Sequence, residues 1–144
     1  MGPLDREVVD RRLLRLEALV RRLERDAKAS QEAYHADEDL QARVERRLQV
    51  AAQVCLDLAN YVIARGDLEV PEEEENVFLV LERAGVVDRN LGVRLRALTR
   101  FRNILVHDYV AVDHAIVHRH LREGLSDFRE FAGAIVRYLD RADE

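Results

Sequence analysis

The chain has one cysteine, two prolines, one methionine and no tryptophan, and each scarcity narrows what it can be. A lone Cys55 excludes an intramolecular disulfide, and its setting in Val54-Cys55-Leu56 marks it as a small buried apolar residue. Few prolines, and no Asn-Gly or Asp-Gly pair, remove the common hairpin signals and argue against a β protein. No apolar run approaches the roughly 20 residues that a membrane span needs. The first residues are charged and lack the apolar region of a secretion signal, so the expected location is the cytoplasm, with no membrane partner.

A basic surplus is also missing, since the formal net charge is −5. A sequence-independent nucleic-acid binder usually carries such a surplus, so contact with nucleic acid would have to come from a local basic pocket. Lysine is nearly absent: Lys28 is the only one, and the other basic side chains are arginines. That bias is consistent with a thermophile or with a GC-rich genome.

What remains is 48% hydrophobic and 35% charged, enough for one core under long solvated helix faces. At 144 residues a single domain over 1–144 is expected. Val9, Leu13, Leu16, Val20, Leu23 and Ala27 step by threes and fours, predicting a helix from about Leu4 to Lys28. Ser30 to Ala36 reads as a turn, with Asp37 or Asp39 as the next N-cap. Leu40, Val44, Leu48, Ala51, Cys55, Leu58 and Val62 predict a helix from about Glu38 to Arg65, closed by Gly66 in the left-handed conformation. Pro71 suits the first turn of a short helix, in which Glu72 to Glu75 would complement the positive helix end and face water. A metal or partner site on those glutamates is the weaker reading. Val77, Leu79, Val80 and Leu81 give that helix its core face, and Gly85 ends it. Asp88 caps a helix whose stripe is Leu91, Leu95, Leu98 and Phe101. Asp113 caps a last helix running to about Arg141 through Val117, Leu121, Leu125, Phe128, Ala132, Ile135 and Leu139. Gly124 and Gly133 lie inside it and mark a bend or a close contact. The sum is an all-α, antiparallel bundle of four main helices with an additional short one.

The chemistry concentrates in Arg102-Asn103-Ile104-Leu105-Val106-His107-Asp108-Tyr109. Arginine presents a planar fork of donors that matches a phosphate. Histidine is the side chain most readily poised for proton transfer near neutral pH. Arg94, Arg96 and Arg100 add cations nearby. In a regular helix, residues five apart point roughly 140° apart, so Arg102 and His107 would not face one phosphate together. Either the helix ends near His107 or a second subunit completes the site. His114 and His118, four apart, share a helix face as zinc ligands do, yet no cysteine lies nearby and no metal is expected. With His120 they are read instead as cationic character near a substrate entrance. His35 is read as solvated, and Tyr34, Tyr61 and Tyr138 as packing residues.

The R-N-x-x-x-H-D-Y string, on an all-helical chain of this length, resembles the signature of HEPN-domain ribonucleases, in particular the HepT toxins encoded beside a minimal nucleotidyltransferase antitoxin. The resemblance covers nearly the whole chain. It implies a homodimer whose motifs meet at the interface and metal-independent cleavage of RNA, tRNA being one candidate substrate. Arg102 would bind and stabilise the phosphate, and His107 would be the general acid/base. Asn103 would hydrogen-bond phosphate or His107, and Asp108 would orient a neighbour. Tyr109 would be the residue that an MntA-like antitoxin modifies with AMP, which occludes the site. No cofactor is implied. The alternatives are a non-catalytic HEPN scaffold or substrate-binding subunit of a nucleotidyltransferase, favoured by the net acidity, and a plain helical dimerisation module.

Overall fold

The computed structural model describes residues 5–142, apart from the side chain of Tyr109. Seven α-helices occur among them: α1 Arg6–Asp26, α2 Gln31–Ala36, α3 Glu38–Arg65, α4 Val77–Arg83, α5 Arg89–His107, α6 His114–Glu123 and α7 Leu125–Ala142. Two 3-10 turns, Glu74–Asn76 and Tyr109–Ala111, precede α4 and follow α5. The expected start of the first helix at Leu4 lies outside the described residues. None of the described helices is long and apolar enough to cross a membrane.

The helix starts follow their capping chemistry. Asp5, Ser30, Asp37, Asp88 and Asp113 each accept a hydrogen bond from a backbone N–H in the first turn of the helix they precede. Ser30 therefore nucleates a helix where a turn was expected. That segment makes one full helical turn and buries Tyr34 completely. Gly66 caps α3 as expected, but with φ −85; the left-handed residue is Asp67, at φ 54. Space is what requires glycine at 66, because a Cβ there would sit 2.8 Å from the Val62 carbonyl oxygen. The last helix breaks at Gly124 into α6 and α7, so the bend is real.

Polar pairs at opposite ends fix the helix directions. Arg6 meets Asp140 and Glu24 meets Arg129, so α1 and α7 are antiparallel. Asp26 binds Arg43 and Arg47, while the Asp5 N–H donates to the Tyr61 hydroxyl, so α1 and α3 are antiparallel too. Down α5 in the opposite sense, His120 stacks on Phe101, Asp127 and Glu130 meet Arg94, and Arg141 reaches the Gly85 carbonyl. The four long helices thus close a ring in which each packs on two neighbours, and α4 wedges between α3 and α5. This is the expected four-helix bundle, with three short elements added rather than one.

All seven predicted stripe residues of α3 are buried, as are all four of α5. Burial also raises the Cys55 thiol well above its usual range, which keeps it inert. Phe78 and Phe131 meet edge to face with ring centres 5.6 Å apart in the middle of the core. Replacing Phe131 with alanine is expected to cost about 3–5 kcal/mol in urea denaturation and to lower the melting temperature by roughly 10 °C. A cost below about 1 kcal/mol would mean that the site collapses and that the aromatic contact is dispensable.

Candidate active site

Helix α5 stays regular to its last residue, His107, and ends there. Asp108 is its C-cap, with its N–H donating to the Ile104 carbonyl at 3.0 Å, and its own carbonyl accepts from the Ala111 N–H at 3.0 Å. The helix stops at His107, as one of the two sequence expectations had it, yet Arg102 and His107 still face apart. Arg102 is 7% exposed, whereas His107 is exposed and has no hydrogen-bond or ion-pair partner among the described residues.

Arg102 turns inward against α3 and the first 3-10 turn. Its Nη1 donates to Asn103 Oδ1 at 2.6 Å. Its Nη2 donates to Gln53 Oε1 at 2.8 Å and also to Glu74 Oε1. Its Nε is buried with no partner. Asn103, expected to serve phosphate or His107, is instead bound by Arg102. That contact fixes the amide so that its NH₂ remains the open, donating end. The Asp108 carboxylate has no partner among the described residues, so nothing here supports its orienting role. Tyr109 starts the second 3-10 turn. Its side chain lies outside the described residues, and next to it Val110 is 84% exposed.

Gln53 and Glu74 were not legible as site residues. Gln53 carried a faint signal, a polar residue between Ala52 and Val54 on a buried helix face. Glu74 was read as a solvated helix-end charge, and the structure corrects that. Glu74 and Glu75 lie outside α4, in the 3-10 turn, and pair with Arg102 and with Arg100, the latter at 2.8 Å. The expected basic cluster is corrected in the same way. Arg94 is tied to Asp127 and Glu130, and the Glu130 hydrogen bond holds its guanidinium above the usual range. Of the four clustered arginines only Arg96 has no partner among the described residues.

Two of the three histidines expected at a cationic entrance, His118 and His120, are packed against aromatic rings instead. His118 is buried, lies 5.3 Å ring to ring from Tyr34, and its Nε2 is 3.1 Å from the Ala29 carbonyl oxygen. His120 stacks on Phe101 with ring centres 4.0 Å apart. Burial, helped by the Arg119 charge, lowers its pKa and favours the neutral ring. A cavity of about 260 Å³ opens beside it, lined by Arg94, Ile116, Arg119 and Asp127 among others, and none of Arg102, Asn103 or His107 lines it. Among the described residues no group of three or more His, Cys, Asp or Glu is placed to hold a metal ion.

Ile104, Val106 and Val110 at this end of α5, and Ile116 at the start of α6, are exposed apolar side chains. Ile104 and Val106 lie two residues apart on α5 and so point to different sides of it, and Val110 follows in the turn after the helix.

The chain is similar to known proteins over most of its length. A family model described as Ribonuclease HepT-like matches residues 13–135. The mRNA nuclease HepT of Shewanella oneidensis is 29% identical over 102 residues, covering 71% of this chain and 77% of that protein. Two solved structures share the fold. Cytosolic protein YutE of Bacillus subtilis, of unknown function, has a TM-score of 0.86 at 20% identity, covering 99% of this chain and 95% of the other. The tri-AMPylated HEPN toxin of Shewanella oneidensis in complex with its MNT antitoxin has a TM-score of 0.83 at 24% identity, covering 90% and 97%.

Proposed function

The chain belongs to the HepT-like ribonuclease family, and from that premise we propose that it is the ribonuclease toxin of a toxin–antitoxin pair, cutting RNA without a metal. The observation that carries the reading is the motif at the end of α5, with His107 exposed and without a partner among the described residues. The 2′-hydroxyl oxygen attacks the adjacent phosphorus, the P–O5′ bond breaks, and a 2′,3′-cyclic phosphate and a 5′-hydroxyl result. One group removes the 2′-hydroxyl proton and another protonates the leaving oxygen. A protomer has one motif histidine, so the single domain of residues 1–144 works as a homodimer. His107 of one copy then serves as base and His107 of the other as acid. Exposed Val106 and Val110, on either side of His107, are apolar surface that such a pairing would cover.

Arg102 stabilises the charge that develops on the phosphoryl oxygens. An incoming phosphate exchanges with the Glu74 carboxylate at Nη2, one anion for another. The open amide of Asn103 adds a donor. Asp108 keeps only a minor part, orienting a neighbour in the assembled dimer. An MntA-like nucleotidyltransferase antitoxin silences the toxin by transferring AMP to the Tyr109 oxygen. The transfer breaks the α–β phosphoanhydride of a nucleoside triphosphate and releases pyrophosphate. The added nucleotide brings bulk and negative charge beside the phosphate site, which repels RNA.

The test is cleavage of total cellular RNA by purified, unmodified protein in EDTA. Fragments ending in 2′,3′-cyclic phosphate are expected, and they should vanish after incubation with the antitoxin and ATP, but not when the toxin carries Tyr109→Phe. The pairing of Arg94, Arg100 and Arg102 with carboxylates, in a chain of net charge −5, favours one other reading, a non-catalytic scaffold or substrate-binding subunit of the nucleotidyltransferase. No cleavage by well-folded, unmodified protein would select it.

A further inference from the structure

Helix α5 is charged unlike the rest of the molecule. It holds five arginines and no aspartate or glutamate, in a chain whose net charge is −5. The other residues together therefore carry −10, the −5 of the chain less the +5 of this helix. Every other described α-helix contains at least one acidic residue. Carboxylates from neighbouring elements come to meet three of the five arginines: Arg94, Arg100 and Arg102. Arg89 and Arg96 are left without a partner among the described residues.

The two unpaired arginines lie on the same side of the helix as His107. At 100° per residue, Arg89, Arg96, Arg100, Asn103 and His107 fall within about 40° of one line along α5. Arg89, Arg100 and His107 on that line are exposed, and Arg96 and Asn103 are half-buried. The Arg100–Glu75 pair is open to water on both sides, with side chains 56% and 42% exposed, so it exchanges partners at little cost. The line runs about 27 Å from His107 to Arg89, with cations about 10, 16 and 27 Å from the histidine.

We infer that this outward face of α5 is the track for the RNA backbone, its phosphates contacting Arg100, Arg96 and Arg89 on one side of the cleaved bond. The inference rests on the ribonuclease reading and adds to it where the substrate lies. Charge complementarity argues for a polyanion, because a basic face on the one described α-helix without an acidic residue, in a chain of net charge −5, leads to the motif histidine. The face offers no free aromatic ring, as Phe101 is buried and already stacked on His120. The track therefore holds backbone and gives affinity with little sequence preference.

The experiment measures fluorescence anisotropy of a labelled single-stranded RNA oligonucleotide on full-length His107→Ala protein, so that binding is read without cleavage. It is repeated with Arg89→Ala/Arg96→Ala added. Affinity at low salt is expected to fall about tenfold, and the slope of log affinity against log salt to shrink by roughly 1.4, about 0.7 for each lost phosphate contact. In the cleavage-competent background the same pair should raise KM and leave kcat unchanged. Arg15→Ala/Arg22→Ala, two exposed arginines on α1 without a partner among the described residues, is the control and should change none of these. Unchanged affinity and slope in the α5 pair, or an equal loss in the α1 pair, overturns the track. So does a change in oligomeric mass without a change in RNA binding, which would make the face a protein interface. Failure of the ribonuclease reading looks different, since intact wild-type protein would then not cut RNA whatever it binds.

Discussion

Replacing His107 with alanine should lower RNA cleavage about a thousandfold or more, because acid–base catalysis by a positioned side chain is worth 10² to 10⁴, and both copies in a dimer would be lost. The fold should barely notice. His107 is exposed, ends its helix and has no partner among the described residues, so the cost is confined to a helix-end charge interaction of about 0.3–1 kcal/mol. The measurement is initial rate on RNA in EDTA beside urea denaturation of the same preparation. Cleavage within tenfold of wild type would remove His107 from the chemistry. Loss of folding would make it structural. Mixed dimers sharpen the test. If each site needs a histidine from both subunits, co-expressing wild-type and variant chains should make activity fall as the square of the wild-type fraction. A linear fall would mean that one histidine suffices and that the two-subunit proton relay is wrong.

Arg102 and Glu74 form the second test, and they should separate stability from function. Arg102→Ala removes the cation that stabilises the phosphoryl oxygens and the contact that orients Asn103, so kcat should fall by about 10² to 10³. Its stability cost should be modest, about 1–2 kcal/mol. The carboxylate left behind is 45% exposed in its side chain and returns to water. Glu74→Gln does the reverse. It leaves a nearly buried guanidinium with neutral partners, which should destabilise the protein by about 1 kcal/mol. It also removes the anion that competes with phosphate, so KM for RNA should drop about fivefold. A less stable protein that binds its substrate more tightly is an unusual pairing of effects. If Glu74→Gln instead raises KM, the carboxylate positions Arg102 and does not compete with phosphate. If Arg102→Ala retains cleavage within about tenfold, the arginine is a brace between α3, α5 and the 3-10 turn and no more.

The long helices were legible because their signal is local and redundant. In α3, seven apolar residues at steps of three and four all point to the core, and an aspartate at each of several helix starts supplies the cap. The short elements were not. The one local signal for Gln31–Ala36 is the Ser30 cap, which serves a turn as well as a helix, and the segment is held as a helix where Tyr34 packs against His118 of α6. The run Glu72 to Glu75 looked like the start of a helix. Only Glu74 and Glu75 of it enter a 3-10 turn, which is pinned to α5 because Arg100 and Arg102 stand opposite, at 25 and 28 residues' remove. Charge pairing over such distances depends on which faces the bundle brings together, and composition does not encode that.

The sequence by itself determined the helical class, the places where the long helices start, and the octet from Arg102 to Tyr109 with the family it belongs to. Those follow from hydrophobic period, capping residues and a short contiguous motif, all of which act within a few residues. Only the tertiary structure decided that Arg102 is buried against Gln53 and Glu74 while His107 stands open to solvent. It also decided that His120 is half-buried and stacked on Phe101, where burial lowers its pKa, and that Arg89 and Arg96 have no partner among the described residues on the face leading to the motif. The reason is that a side chain's role is set by what surrounds it, and in a bundle the surroundings come from helices far apart in the chain.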